Sequence, residues 1–340
     1  MRLLPLLLTA ALVPMAAPAQ DTPPATGLSD LNAAVSELDD NPEDTSQEPA
    51  AAPAGQPPAT GAPADPPETE PAEPPAAEPA AQPERPRLTP PAGPLTGAQR
   101  AELAAAGQRG QLLIALARAG IIGTQDMLSR VSDPEGAGIA GWIATPEGNG
   151  MRIIFYARGE SGPVAVYRAD ILGTRVTSRD VFLGADRPAL NPLEARMAAA
   201  RDATDGLENQ ACGGQPFNVF VIPPASASAP VDVYQISPAT QRDRFPLGGH
   251  FRSTVAADGT VGDTRSFAEG CTDLAAPAAP AGQARQPLDV AAPDDALPTE
   301  IHAFLSLWSG RPLRVAAGDP PREFLVAGEA ITAANPPVGR

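Results

Sequence analysis

The chain has 340 residues, 40 acidic against 24 basic side chains and a net charge of −16, and all of its basic residues are arginine. Schiff-base catalysis, P-loop nucleotide hydrolysis and Ser-x-x-Lys acyl transfer each require a lysine, so these classes are excluded. The charge is unevenly placed: residues 21–95 hold fourteen acids against Arg85 and Arg87, whereas residues 96–340 carry only −5. Such a tail repels nucleic acid and anionic lipid, and no nucleic-acid partner is expected.

The N-terminus reads Met1, Arg2 and an apolar run from Leu3 to Val13, then Ala17-Pro18-Ala19. One positive charge, a short apolar segment and small residues form a bacterial-type secretory signal over 1–19, with cleavage before Gln20. The run is shorter than the ~20 apolar residues of a membrane span and contains Pro5 and Pro14, so no stable membrane anchor is expected. Retention of the segment as an anchor is the alternative. The expected location is periplasmic or secreted.

Residues 20–95 alternate proline, alanine and acids and contain no aromatic residue. A segment of that composition cannot bury enough apolar surface to offset its chain entropy, which predicts a disordered, extended linker. Within it Leu28, Leu31, Val35 and Leu38 recur at helical spacing after Thr26, which suggests a short helix that folds on a partner.

All fourteen aromatic residues lie at or after Trp142, which places the folded region at 96–335, with a division into 96–206 and 207–335 left open. Thr96 caps a first helix with Leu103, Leu112, Leu113 and Leu116 on one face. Gly107 and Gly110 are expected to split or weaken it, and Gly120 and Gly123 to end it. Ile139–Ala144, Met151–Arg158, Val164–Leu172 and Arg175–Phe182 follow as strands. Their connections are too short for crossover helices, so they form an antiparallel meander. A second helix, Leu193–Thr204, begins at an Asn191 cap with Pro192 in its first position and Glu194 three residues after the cap.

Strands are next expected at Phe217–Ile222, Val231–Ile236, His250–Ala256 and Thr260–Phe267. A three-residue loop, Ala257-Asp258-Gly259, would pair Ala256 with Thr260 and put Phe251, Val255, Val261 and Phe267 on one face, with His250 and Arg252 on the other. An Ala/Pro/Gly loop covers 275–296. Glu300–Trp308 is read as a central strand, apolar on both faces, followed by strands Pro312–Ala317 and Arg322–Val326. The fold class is α+β: mostly antiparallel sheet with one or two packed helices.

The chemistry available to this region is narrow. His250 and His302 are the only histidines, which rules out a three-histidine zinc site and a His-Glu-x-x-His helix. No metal or cofactor is expected. The cysteine pair, Cys212 and Cys271, suits an oxidising compartment and is expected to be a disulfide.

His250 followed by Ser266-Phe267-Ala268-Glu269-Gly270-Cys271 faintly resembles the L,D-transpeptidase arrangement, in which an upstream histidine serves a cysteine in a Ser-His-Gly-Cys-x-Arg motif. The resemblance spans about 22 residues, and it implies a thiol nucleophile at Cys271 acting on cell-wall peptide. It departs from that motif at Glu269, in the histidine position, and at Asp273, in the arginine position. A thiolate needs positive surroundings, which these acids do not supply.

The leading expectation is a non-enzymatic binding or scaffolding domain on a flexible acidic tether, meeting an envelope protein or polymer. The alternative is a hydrolase or transferase acting on envelope polymers, with His250, His302 or Cys271 in the catalytic role.

Overall fold

The computed structural model describes residues 94–239, 241, 243–276 and 285–334. The expected signal segment, residues 20–93 of the linker and the Leu28–Leu38 helix lie outside the described residues, whereas Leu95, expected as linker, packs against the core. The fold is α+β, and the described residues form three α-helices and four small sheets.

Helix α1 (Gly97–Leu128) starts as its sequence dictates: Thr96 Oγ1 accepts the Gln99 amide at 3.1 Å, and the Gln99 side chain accepts the Thr96 amide at 2.9 Å. It then runs unbroken past all four glycines, which corrects the expected split and early end. The glycines serve packing. A Cβ on Gly107 would lie 2.0 Å from the Glu329 carbonyl oxygen, and one on Gly110 would lie 2.5 Å from the Ala303 Cβ. Gly120 and Gly123 admit Trp142 and Ile153 in the same way. The cost of glycine in a helix interior, about 1 kcal/mol each, is offset by the apolar contact that a close approach permits.

Strands β1 (Ile139–Glu147), β2 (Gly150–Gly159), β3 (Gly162–Leu172) and β4 (Arg175–Val181) form the expected meander. Its central strands are apolar on both faces because both are covered. Ile153 and Phe155 pack towards the core around α1, while Ile154 and Tyr156 pack with Met197, Ala198 and Ala200 of α2 (Pro192–Ala203). The α2 start matches its sequence: Asn191 and Glu194 exchange side-chain-to-backbone hydrogen bonds at 2.9 and 3.0 Å.

The second sheet has the order β5 (Asn218–Ile222), β6 (Val231–Ile236), β8 (Phe251–Val255), β9 (Val261–Ser266). Val219, Val221, Val231, Val233 and Val255 face α2, and Phe220, Tyr234 and Ile236 face the main core. The 257–259 loop is as expected: the Ala256 amide donates to the Thr260 carbonyl at 2.9 Å, and Gly259 has φ 87°. One expectation fails here. A bulge lets Gly262 and Asp263 oppose Thr254, so the register becomes Ser253↔Thr264 and Phe251↔Ser266. That one-residue slip moves Phe267 off the Val255 face and onto the face of Arg252 and Tyr234, where its ring stacks at 6.2 Å from Tyr234.

The third expectation to fail is Glu300–Trp308. It is a helix, α3 (Glu300–Ser309), capped by Thr299 and closed by left-handed Gly310 at φ 61°. A short run with apolar residues on every side satisfies both periods, and the caps decide between them. Ile301, Phe304 and Leu305 are buried, and Ala303 meets Gly110. Helix α3 is the crossover between β11 (Leu288–Ala292) and β12 (Leu313–Ala317), which pair in parallel. β11 therefore lies inside the stretch expected to be loop. β13 (Arg322–Ala327) and β14 (Ala330–Ala333) complete that sheet, and β7 (Arg244–Pro246) pairs with β10 (Asp273–Ala275) as a separate ribbon.

Candidate functional site

Cys212 and Cys271 are joined, with 5.5 Å between their Cα atoms. The bond ties a short 3-10 turn (Cys212–Gly214) before β5 to the loop after β9, and a polar web packs around it. The Cys212 amide donates to Ser237 Oγ at 2.8 Å, and that hydroxyl donates to the Gly249 carbonyl at 2.8 Å. Gly249, at φ 68°, is required on two counts, because a Cβ there would also lie 2.8 Å from the Cys212 sulfur.

His250 belongs to this web. Its Nδ1 accepts the Ser237 amide at 3.2 Å, which leaves the proton on Nε2 to be donated to the Pro246 carbonyl at 2.8 Å. The ring is wholly buried, and burial lowers its pKa to about 4. Both nitrogens are engaged by backbone, so His250 holds the chain in place and has no free lone pair for base catalysis. Cys271 is equally committed, since its sulfur is bonded to Cys212.

A charged ladder crosses the face of the second sheet. Arg252 and Arg265 are cross-strand neighbours, and like charges in that position repel. Each is matched by a carboxylate from the segment leading from β11 into α3: Arg265 meets Asp295 at 2.5 Å, and Arg252 meets Glu300 at 2.8 Å. Glu300 also accepts the Tyr234 hydroxyl at 2.8 Å, and Arg109 of α1 bridges Tyr234 and Asp232. Burial, followed by the Glu300 charge, pushes the Tyr234 phenol up. These pairs dock α1 and the α3 entry onto the sheet.

Beside the ladder lies a cavity of about 290 Å³, between Leu247, the Phe267–Glu269 loop, β11, the Pro293–Asp295 turn and α3. Phe267, Val290, Ile301 and Leu305 supply apolar wall, and Glu269, Asp294 and Asp295 supply carboxylates. Burial raises the Asp295 carboxyl despite Arg265. Among the described residues Glu269 and Asp294 are in no ion pair, and no three histidine, cysteine or acidic residues gather closely enough to hold a metal ion.

His302 lines this cavity, and α3 gives it a defined chemical state. The Thr299 amide donates to His302 Nδ1 at 3.0 Å, so the ring proton sits on Nε2. Burial, with the charges of Arg265 and His250 adding to it, lowers the ring pKa to about 4. Nε2–H has no acceptor among the described residues and is not sealed from solvent. In this state His302 is a neutral hydrogen-bond donor on the cavity wall, because its lone pair is used by the Thr299 amide.

Sequence reasoning singled out His302 for the wrong element and gave no place to Asp294 and Asp295. The signal that could have found them is the Asp294-Asp295 pair directly before a Pro298-Thr299-Glu300 helix start. Among the described residues no helix is long and apolar enough to cross a membrane. No family model matches the chain, and no curated protein or solved structure matches it either.

Proposed function

We propose that this chain is an exported, non-enzymatic binding protein: residues 1–19 direct export, 20–95 act as an acidic tether, and the folded region takes a ligand presented by an envelope protein or polymer. The observation that carries the binding role is His302, a neutral donor without an acceptor among the described residues, on the wall of a cavity with apolar sides. The committed lone pairs of His250 and His302 and the bonded sulfur of Cys271 favour binding over catalysis. The disulfide supports an oxidising location.

The test is occupancy of the cavity. Ala268 is half-buried on its wall, so Ala268→Trp should plug it, with an unchanged circular dichroism spectrum as the check that the fold is intact. The full chain, incubated with an envelope extract and re-isolated under native conditions, should carry a bound species by native mass spectrometry that Ala268→Trp fails to retain. Equal retention by Ala268→Trp, or no bound species, would overturn the binding role.

A further inference from the structure

The ligand's chemical class can be read from what the cavity offers, given the binding role above. It presents three features. Phe267, Val290, Ile301 and Leu305 form apolar wall. His302, on the cavity wall, offers Nε2–H as a neutral donor without an acceptor among the described residues, which asks for an oxygen lone pair. Glu269 and Asp294 are exposed carboxylates with no ion-pair partner among the described residues, which ask for a cation. Asp295 adds to the negative field but already holds Arg265.

We propose that the cavity binds an apolar residue with a free α-ammonium group beside a neutral carbonyl, the chemistry of a peptide's amino-terminal residue or of an amino-acid amide. The side chain fills the apolar wall, the carbonyl accepts from His302, and the ammonium lies against Glu269 and Asp294. A free carboxylate in place of the carbonyl meets three acids and is repelled. A cavity of about 290 Å³ takes one such residue with room for part of a second.

Calorimetric titration of the full chain tests each feature with leucinamide, N-acetyl-leucinamide, leucine, 3-methylbutylamine and the peptide Leu-Gly-Gly. Leucinamide should bind, and N-acetylation, which removes the charge, should weaken it by about tenfold or more, as expected for losing a hydrogen bond to a charged group. Leucine should be weaker through its carboxylate, and 3-methylbutylamine weaker through the missing carbonyl. Glu269→Gln with Asp294→Asn, both at exposed positions, should abolish the preference for leucinamide over its N-acetyl form. Tighter binding of Leu-Gly-Gly identifies a peptide terminus as the source, and binding no tighter than leucinamide identifies a small amide; both support the class. Equal binding of the N-acetyl form, or no binding by any of the five, overturns it. If the envelope-derived species is excluded by Ala268→Trp while these probes fail, the binding role stands and only the ligand class falls.

Discussion

Reducing the Cys212–Cys271 bond should lower stability by about 4 kcal/mol, the chain-entropy value for a closed loop of this size, since the bond spans 59 positions. The loss reaches beyond chain entropy. The bond anchors the Cys212 turn against Ser237 and Gly249, which in turn position His250 under the β7 ribbon. Urea unfolding with and without reductant measures the effect, and the midpoint should fall by roughly 1–2 M for a region of this size. Denatured protein that has never been reduced should show almost no free thiol. An unchanged midpoint under full reduction would mean that the strand ends are held by the polar web alone.

Acidification should produce the second large effect. His250 and His302 both have pKa values lowered from 6.5 to about 4 in the folded chain. Between those values the unfolded chain binds more protons than the folded one, so stability falls as pH drops from about 6.5 to 4. Each ring contributes on the order of 3 kcal/mol to that fall, and together they remove a large share of a typical domain's stability. Asp295 acts in the opposite sense: its folded-state pKa is raised by burial, so protonating it at the acid end relieves a cost. The urea midpoint should therefore be flat above pH 7.5 and decline steeply through pH 6 and 5. A midpoint constant from pH 7.5 to 4.5 would show that the rings titrate freely in the folded state.

What the sequence revealed follows from which forces were local. The α1 and α2 starts were legible because Thr96 and Asn191-Pro192-Glu194 satisfy backbone amides within one turn. The first meander and the Ala257–Gly259 loop were legible for the same reason, since short connections and a left-handed glycine fix local geometry. Tertiary contacts hid the rest. Gly107 and Gly110 look like breakers until the Glu329 carbonyl and Ala303 approach them. The β9 bulge at Gly262 and Asp263 leaves no mark on the apolar pattern, yet it turns Phe267 to the other face. In α3 the apolar run fits either period, and His302 was placed on a strand instead of in the first turn of a helix. The cavity was least visible, because it joins a loop near 268, a turn near 294 and a helix near 302 that only the parallel β11–β12 crossover brings together.

The two histidines report most directly on whether the cavity beside His302 is a ligand site. Long-range proton–nitrogen NMR of the full chain at pH 7 should show both rings neutral, with the proton on Nε2. Adding an envelope extract should move the His302 Nε2–H signal downfield as an acceptor arrives, and leave His250, whose Nε2–H already donates to Pro246, unchanged. A His302 signal that stays fixed at saturation, or two rings that shift together, would contradict a ligand site there.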